Sequence, residues 1–379
     1  MATLTFVNNT LFENGAVAQL AGVLAMHGIQ RPLLCTDKGL VKLGLVRNVA
    51  ATLSNDIALS IFDDTPENPT QWAVEAAKMQ YIEHGCDGVV AFGGGSSMDL
   101  AKAVALAVTH EGELINFTAG LGGAQKIGVI APLVAIPTTS GTGSEVSNGA
   151  VIIMNNGEKL ILASRNLVPL TAICDPELTH GLPPTLTAAT GMDAVTHCIE
   201  ALLSPAINPP AEAVGCDGIE RAVKNGNLLR AYKDGSDRVA RWEMMMAATE
   251  GAMAFSKGLG AVHSMSHACG ADQGLRLHHG TLNAVILPTI LDFNRGHVGN
   301  KYDRLNRAMG LSHDADPAEH IRQLNDALGL PNNLAEMGVT EEQIPHLAEH
   351  AARDVCTFTN PRQCSINDYV ALFKTAIGS

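Results

Sequence analysis

The chain has 379 residues, 46% hydrophobic and 17% charged, with a formal net charge of −13. This composition supplies sizeable cores and excludes a disordered polypeptide, and the length makes two domains the default. The acidic balance argues against nucleic acid and anionic membranes as partners, because both demand basic surfaces. No stretch approaches the roughly 20 apolar residues that span a bilayer, and MATLTFVNNTLFENGA has no basic n-region. The eight cysteines are scattered with no CxxC pair, as in reduced, mostly buried thiols. A cytoplasmic protein is expected.

In chain order, RPLLCTD (31–37) and DIALSIFDD (56–64) read as strands ending in polar turns. CDGVVAFGGGSSMDLAKAVALAV (86–108) reads as strand, glycine turn and a helix starting near Met98. PLVAIPTTSGTGSE (132–145) is a further strand opening into a loop of glycines and hydroxyls. Strand–turn–helix repetition predicts a parallel α/β architecture. The pattern changes after DPELTHGLPPT (175–185), whose three prolines and glycine mark a junction. Beyond it, 186–204, 240–256 and 302–310 carry helical periodicity and strand-like runs nearly vanish. The expectation is an α/β domain over 1–184, built on a parallel sheet, followed by an all-α domain over 185–379.

Three groups of residues carry chemistry. GGGSS (93–97) follows a strand and precedes a helix, so its backbone N–H groups and the helix dipole suit a phosphate. The alternative is a tight structural turn, and the GxGxxG fingerprint is absent. Asp37, ending a strand, suits the two ribose hydroxyls of an adenosine and would repel a 2′-phosphate, although an Asp there also caps helices. Asp193 and His197 are four residues apart in apolar TGMDAVTH, and so are His263 and His267 in AVHSMSH. His278 and His279 follow in LHHGTLNAVILP. Polar pairs on one face of apolar helices suit a buried divalent metal, although a lone histidine in such a helix is usually a core residue. Neither HExxH nor GxSxG occurs, which leaves zincin proteases and nucleophile-elbow hydrolases unsupported.

With these motifs the chain resembles the iron-dependent (group III) alcohol dehydrogenase family over nearly its whole length. The likeness rests on FDDTPENPT, GGGSSMDLAK, PTTSGTGSEV, CDPELTHGLPPTLTAATGMDAVTHCIEALLS, GAMAFSKGLGAVHSMSH, HHGTLNAVILP and DVCTFTNPR. It implies the fold shared with dehydroquinate synthases: a dinucleotide-binding domain, a helical domain, and the active site in the cleft between them. It implies Asp193, His197, His263 and His279 as metal ligands, and His267 beside the nicotinamide as a proton-transfer residue. Asp37, Gly94, Gly95, Ser96, Asp99, Thr138, Thr139, Thr142 and Lys159 would hold NAD. The family's metal is Fe2+, and Zn2+ suits the same donors. A homodimer is also implied, with LTFVNNTLFENGA as a source of an edge strand.

The segment from His263 to His279 is about two residues longer than is common in the family, and His278 sits beside the fourth ligand position. Gly280 and Asn283-Ala284 set the register that favours His279. NPPAE, FSKGLG and LHHGTLNAV look most like the family's 4-hydroxybutyrate dehydrogenases, which implies an ω-hydroxy acid oxidised to its aldehyde. Lys257 is the candidate cation for the substrate carboxylate; its alternative is a solvent-facing or cofactor-facing lysine. A short-chain alcohol or diol is the alternative substrate. A dehydroquinate synthase-like lyase needs a basic cluster, and the motif segments offer only Lys159, Lys257 and Arg276. A non-catalytic nucleotide-binding protein would not need the metal ligands.

Overall fold

The computed structural model describes residues 8–54, 56–271 and 277–378. The chain divides into two compact units. One ends at Thr179, and the other comprises His180 onward plus the short segment Ser140–Thr142. The change of unit falls inside the proline-rich 175–185 stretch; the attachment of Ser140–Thr142 to the helical unit has no counterpart in the sequence reading.

The first unit is built on a six-stranded parallel sheet of β1 (Asn9–Phe12), β2 (Pro32–Cys35), β3 (Ser60–Phe62), β4 (Gly88–Gly93), β5 (Leu133–Pro137) and β8 (Thr171–Cys174). Its order is β1-β8-β5-β4-β2-β3. The central strands β2, β4, β5 and β8 are buried along their whole length, as parallel strands covered on both faces must be. Alternate residues feed separate cores. Leu33, Val89, Ala91, Leu133 and Ala135 face a cluster that includes helices α4 (Gln71–Glu83) and α5 (Gly95–Ala107). Leu34, Val90, Phe92, Val134 and Ile136 face α1 (Leu20–Met26) and α3 (Leu45–Ala50). The five-residue α2 (Lys38–Lys42) leaves the end of β2.

An antiparallel hairpin, β6 (Gly149–Ile153) with β7 (Lys159–Ala163), stands outside the main sheet. Its turn carries Asn156-Gly157, with Gly157 at φ 86°, a composition suited to hairpins. The helix after the glycine turn begins at Gly95 rather than near Met98. Glycines have poor helix propensity, but their N–H groups lie in the first turn, where no intrahelical partner is needed.

The second unit is helical. The 20-residue α6 (Pro184–Leu203) runs through its core, with Pro184 at the first turn where no N–H is required. It packs against α7 (Pro209–Ile219), α9 (Arg238–Ala254) and α11 (His279–Asn294), while α8 (Asn227–Lys233) contacts both α6 and α9. The ten-residue α10 (Ala261–Gly270) lies against α11 and α14 (Ile344–Arg353). Helices α12 (Lys301–Met309), α13 (Pro317–Ala327) and α15 (Ile366–Ile377) complete the unit. One apolar cluster, from Ala188 to Ile377, joins these helices. Among the described residues no helix is long and apolar enough to cross a membrane.

Candidate metal centre and nucleotide loops

The helical unit gathers three of the singled-out histidines around one carboxylate oxygen of a fourth singled-out residue, Asp193. Asp193 Oδ1 lies 3.7 Å from His197 Nε2, 3.9 Å from His263 Nε2 and 3.6 Å from His279 Nε2. Asp193 and His197 share a face of α6, His263 belongs to the first turn of α10, and His279 opens α11. A tetrahedral ion with bonds of about 2.1 Å separates its ligand atoms by about 3.4 Å. The observed separations are slightly wider, and Asp193, His197 and His263 offer ligand atoms within 4.8 Å of one another. Burial pushes the pKa of His197 down to about 4, so its imidazole is neutral at pH 7, the state that binds a metal.

His279 and His278 part company. His279 turns to Asp193, with Nδ1 3.2 Å from Ser266 Oγ. His278 is the exposed residue ahead of α11, 3.4 Å from Thr281 Oγ1. The register set by Gly280 and Asn283 therefore corresponds to a real difference in direction. Residues 272–276 of the lengthened segment, including Arg276, lie outside the described residues.

Three further side chains complete the cage, none of them singled out by sequence for a role. Asn283, one turn beyond His279, donates Nδ2–H to Asp193 Oδ1 at 2.7 Å. The same nitrogen lies 3.1 Å from His279 Nε2 and 3.3 Å from His263 Nε2. Acceptor atoms thus converge on one positively polarised group, the electrostatic demand that a cation would also meet. Glu200, buried on α6, holds His263 Nδ1 at 2.5 Å. Asp354, just beyond α14, holds His267 Nδ1 at 2.9 Å and accepts the Cys356 N–H at 2.8 Å. Burial opposes ionisation of Asp354, but His267 and the Cys356 N–H outweigh it and its pKa falls to about 2. The His267 ring stacks on His279 with centroids 5.4 Å apart. A signal for Glu200 existed: with Asp193 and His197 it forms an i, i+4, i+7 set on an apolar helix. Asp354 is 87 residues from its partner, and no local pattern announces it.

Lys257 is placed differently from the sequence reading. Its buried ammonium donates to the carbonyls of Ala201 (2.8 Å), Leu202 (3.2 Å) and Ser204 (2.5 Å) and pairs with Glu212 at 3.2 Å. Four acceptors consume three N–H donors, so the side chain caps the C-terminus of α6 and has no hydrogen left for a substrate carboxylate.

The α/β unit assembles most of the remaining residues at the carboxyl ends of its strands. Chain direction across the sheet reverses between β2 and β4, the switch point at which open α/β sheets bind ligands. Asp37 lies just beyond β2, and on the neighbouring strand Gly93 ends β4 with Gly94 after it. Asp37 Oδ1 accepts the Leu40 N–H at 3.0 Å, so the helix-capping reading is realised. Gly94 is the N-cap of the 13-residue α5, with no side chain capping it. A Cβ on Gly94 would come 3.3 Å from Thr139. Thr138 continues the β4–β5 pairing through its N–H to Gly93 O at 2.9 Å. Ser96 Oγ donates to the Glu67 carbonyl. Thr142 belongs to the segment that groups with the helical unit.

Asp99 and Lys159 are drawn inward. Asp99 accepts from Ser144 Oγ and from the Val151 N–H, both at 2.9 Å, so each carboxylate oxygen is engaged inside the unit. Fully buried Lys102 donates to Ser144 Oγ, Ser147 O, Ser147 Oγ and Gly149 O at 2.7–3.0 Å. Together they pin the 144–151 loop and hairpin to α5. Lys159 Nζ bonds Asn68 Oδ1 at 3.0 Å. Burial lowers the pKa of Lys159, against the pull of Asp99.

Comparison with known proteins gives the same picture in both units. The family model described as iron-containing alcohol dehydrogenase matches residues 8–176. The model for the C-terminal part of the same family matches 187–377. The chain is 48% identical to 4-hydroxybutyrate dehydrogenase from Cupriavidus necator over 100% of both chains. The structure is similar to 1,3-propanediol oxidoreductase, with a TM-score of 0.93 and 34% identity over 99% of this chain and 100% of that one. It is also similar to sulfoacetaldehyde reductase from Bifidobacterium kashiwanohense in complex with NAD+, with a TM-score of 0.89 and 25% identity over 100% of this chain and 99% of that one. The chain therefore belongs to the iron-containing alcohol dehydrogenase family and is an NAD-linked alcohol dehydrogenase.

Proposed function

We propose that the substrate is 4-hydroxybutyrate or a similar ω-hydroxy acid, oxidised reversibly to the corresponding semialdehyde. The observation that carries this reading is the 48% identity, without truncation on either side, to a 4-hydroxybutyrate dehydrogenase. In this reading Asp193, His197, His263 and His279 hold a divalent metal, Fe2+ by family and with Zn2+ suited to the same donors. The nucleotide is NAD, held through Asp37, the N–H groups of Gly94, Gly95 and Ser96, Thr138, Thr139, Thr142 and Lys159. Asp99 enters as the brace of this loop system. Such a metal would supply Lewis-acid chemistry toward an alcohol oxygen, and NAD would supply the hydride acceptor.

The chain's own residues supply the rest. Asp193 contributes the single carboxylate of the ligand set. Because Asp354 is a carboxylate, it fixes the proton of His267 on Nδ1 and leaves Nε2 with a lone pair to take the hydroxyl proton. A cytoplasmic location and a homodimer belong to the same reading; among the described strands β1 is at the edge of the sheet, beside β8, where a second copy could add.

The test is a reduced-nicotinamide assay of the ferrous-loaded enzyme on 4-hydroxybutyrate, 1-butanol and 1,3-propanediol. A kcat/KM at least tenfold higher for 4-hydroxybutyrate is expected. The likeness to 1,3-propanediol oxidoreductase supports the second reading, a short-chain alcohol or diol dehydrogenase, and a preference for the diol would establish it.

A further inference from the structure

We infer that Glu200 is a positioning residue for the metal centre: its carboxylate decides which nitrogen of His263 carries the proton and locks α10 against α6. The inference rests on the ligand set proposed above. Its own observation is a two-pronged grip by one carboxylate on consecutive residues. Glu200 Oε1 accepts the backbone N–H of Val262 at 2.8 Å, and Oε2 lies 2.5 Å from Nδ1 of His263. A carboxylate is an acceptor, so the hydrogen in the second contact sits on Nδ1. The lone pair of a neutral His263 then sits on Nε2, the atom 3.9 Å from Asp193 Oδ1. A proton on the wrong nitrogen would abolish this ligand without moving the ring.

The surroundings are shaped for the grip. Helix α10 has glycine as its N-cap and no side-chain cap of its own. Its first N–H groups go instead to side chains from elsewhere, Ala261 to Asn360 Oδ1 at 3.1 Å and Val262 to Glu200. A negative charge there also suits the helix dipole. A Cβ on Gly260 would stand 2.7 Å from Asn360 Oδ1 and 2.8 Å from Glu200 Oε1, so the missing side chain is what admits both caps. The His263 ring stacks on His197 at 4.7 Å between centroids, which fixes its plane but not its tautomer. Glu200 does the latter at the shorter distance, and Asn283 Nδ2, a donor 3.3 Å from Nε2, favours the same tautomer.

Glu200→Gln separates the two prongs. If the amide oxygen keeps the Val262 N–H, the amide NH2 faces His263 Nδ1 and turns that atom into an acceptor. The proton then moves to Nε2, facing Asp193. The reversed amide would set NH2 against the Val262 N–H, two donors together, and is disfavoured. The helix cap thus survives while the ligand atom is blocked.

The experiment titrates metal-free protein with Co2+, read by its d–d absorption and by competition with a chelator. Nitrogen-15 NMR of the His263 ring reports the tautomer, and a thermal melt of the metal-free protein reports the fold. Glu200→Gln is expected to lower Co2+ affinity by roughly 10–100-fold, the range for partners behind metal-binding histidines, to move the His263 proton to Nε2, and to leave the melt within a few degrees of wild type. Wild-type affinity, or an unchanged tautomer, overturns the inference. Asp193→Asn is the reference. If it binds Co2+ as well as wild type, the ligand assignment itself has failed. If it loses Co2+ and Glu200→Gln does not, only the role of Glu200 has failed. Glu200→Ala, which removes both prongs, is expected to lower the melt as well as the affinity; a loss of affinity with an unchanged melt would overturn the claim that the carboxylate locks α10.

Discussion

The helical unit and the α/β unit prepare for their ligands in opposite ways. In the helical unit, side chains from α6, α10 and α11 converge within 4 Å of one carboxylate oxygen, and further side chains hold them in place. In the α/β unit the strand ends present glycines, backbone N–H groups and an uncapped helix N-terminus. The difference follows from what each ligand asks for. A small cation needs several donors at fixed separations, which long packed helices supply. An extended anionic nucleotide needs close backbone approach, which the absence of side chains supplies. The first region is therefore vulnerable to losing a side chain and the second to gaining one.

The largest effect tests the first half of that contrast. Asp193→Asn removes the only carboxylate among the four donors, and Asn283, which donates to Asp193 at 2.7 Å, loses its best acceptor. Lewis-acid activation is worth several kcal/mol, at about 1.4 kcal/mol per tenfold in rate, so kcat is expected to fall by about 10³-fold or more. Metal content of the purified protein, measured by elemental analysis, is expected to fall with it. Full metal content with low activity would shift the role of Asp193 from holding the ion to the chemistry.

Gly94→Ala tests the second half by adding one carbon. The new Cβ would press on Thr139 at 3.3 Å, a contact relieved by a shift of a few tenths of an ångström. Its backbone, at φ −81° and ψ −168°, is open to any residue, so the fold is expected to hold. The methyl group would stand where the phosphates approach. KM for NAD is expected to rise about tenfold, equivalent to about 1.4 kcal/mol, with kcat at saturating NAD and the metal content unchanged. A drop in metal content would mean that the two regions are not independent.

The same contrast governs what could be read from the chain. The pairs Asp193/His197 and His263/His267 were legible because they recur four residues apart inside apolar helices, and helical geometry places such pairs on one face; the choice of the four ligands, His279 among them, came from the family resemblance. Asp354 was not, since it meets His267 from another helix end, and sequence carries no measure of that approach. Lys257 misled for a related reason: a lysine beside a ligand helix looks free until the carbonyls of Ala201, Leu202 and Ser204 are found around its ammonium. The strand ends of β2, β4 and β5 were visible as apolar runs closing in glycine or hydroxyl residues. The hairpin β6–β7 was overlooked despite Asn156-Gly157, and with it the reason for Asp99 and Lys102, whose partners lie on residues 144–151. Asp99 looks like a cofactor contact in the motif GGGSSMDLAK, and with Lys102 it fastens residues 144–151 to α5.

Asp37 is a place in the α/β unit where a charged side chain, rather than the absence of one, is assigned to the ribose, and its substitution carries the smallest expected effect. Removing it outright would confuse two jobs, because its Oδ1 also caps α2 through the Leu40 N–H. Asp37→Ser keeps a capping oxygen, at a cost of a few tenths of a kcal/mol at most, and removes only the charge. If that charge excludes a 2′-phosphate while binding ribose hydroxyls, kcat/KM should fall severalfold with NAD and rise severalfold with NADP, leaving the melting temperature within about a degree. Steady-state assays with both nucleotides read the ratio directly. An unchanged ratio would reduce Asp37 to a helix cap, and discrimination between the nucleotides would then have to come from backbone shape alone, as the rest of that region already suggests for the phosphates.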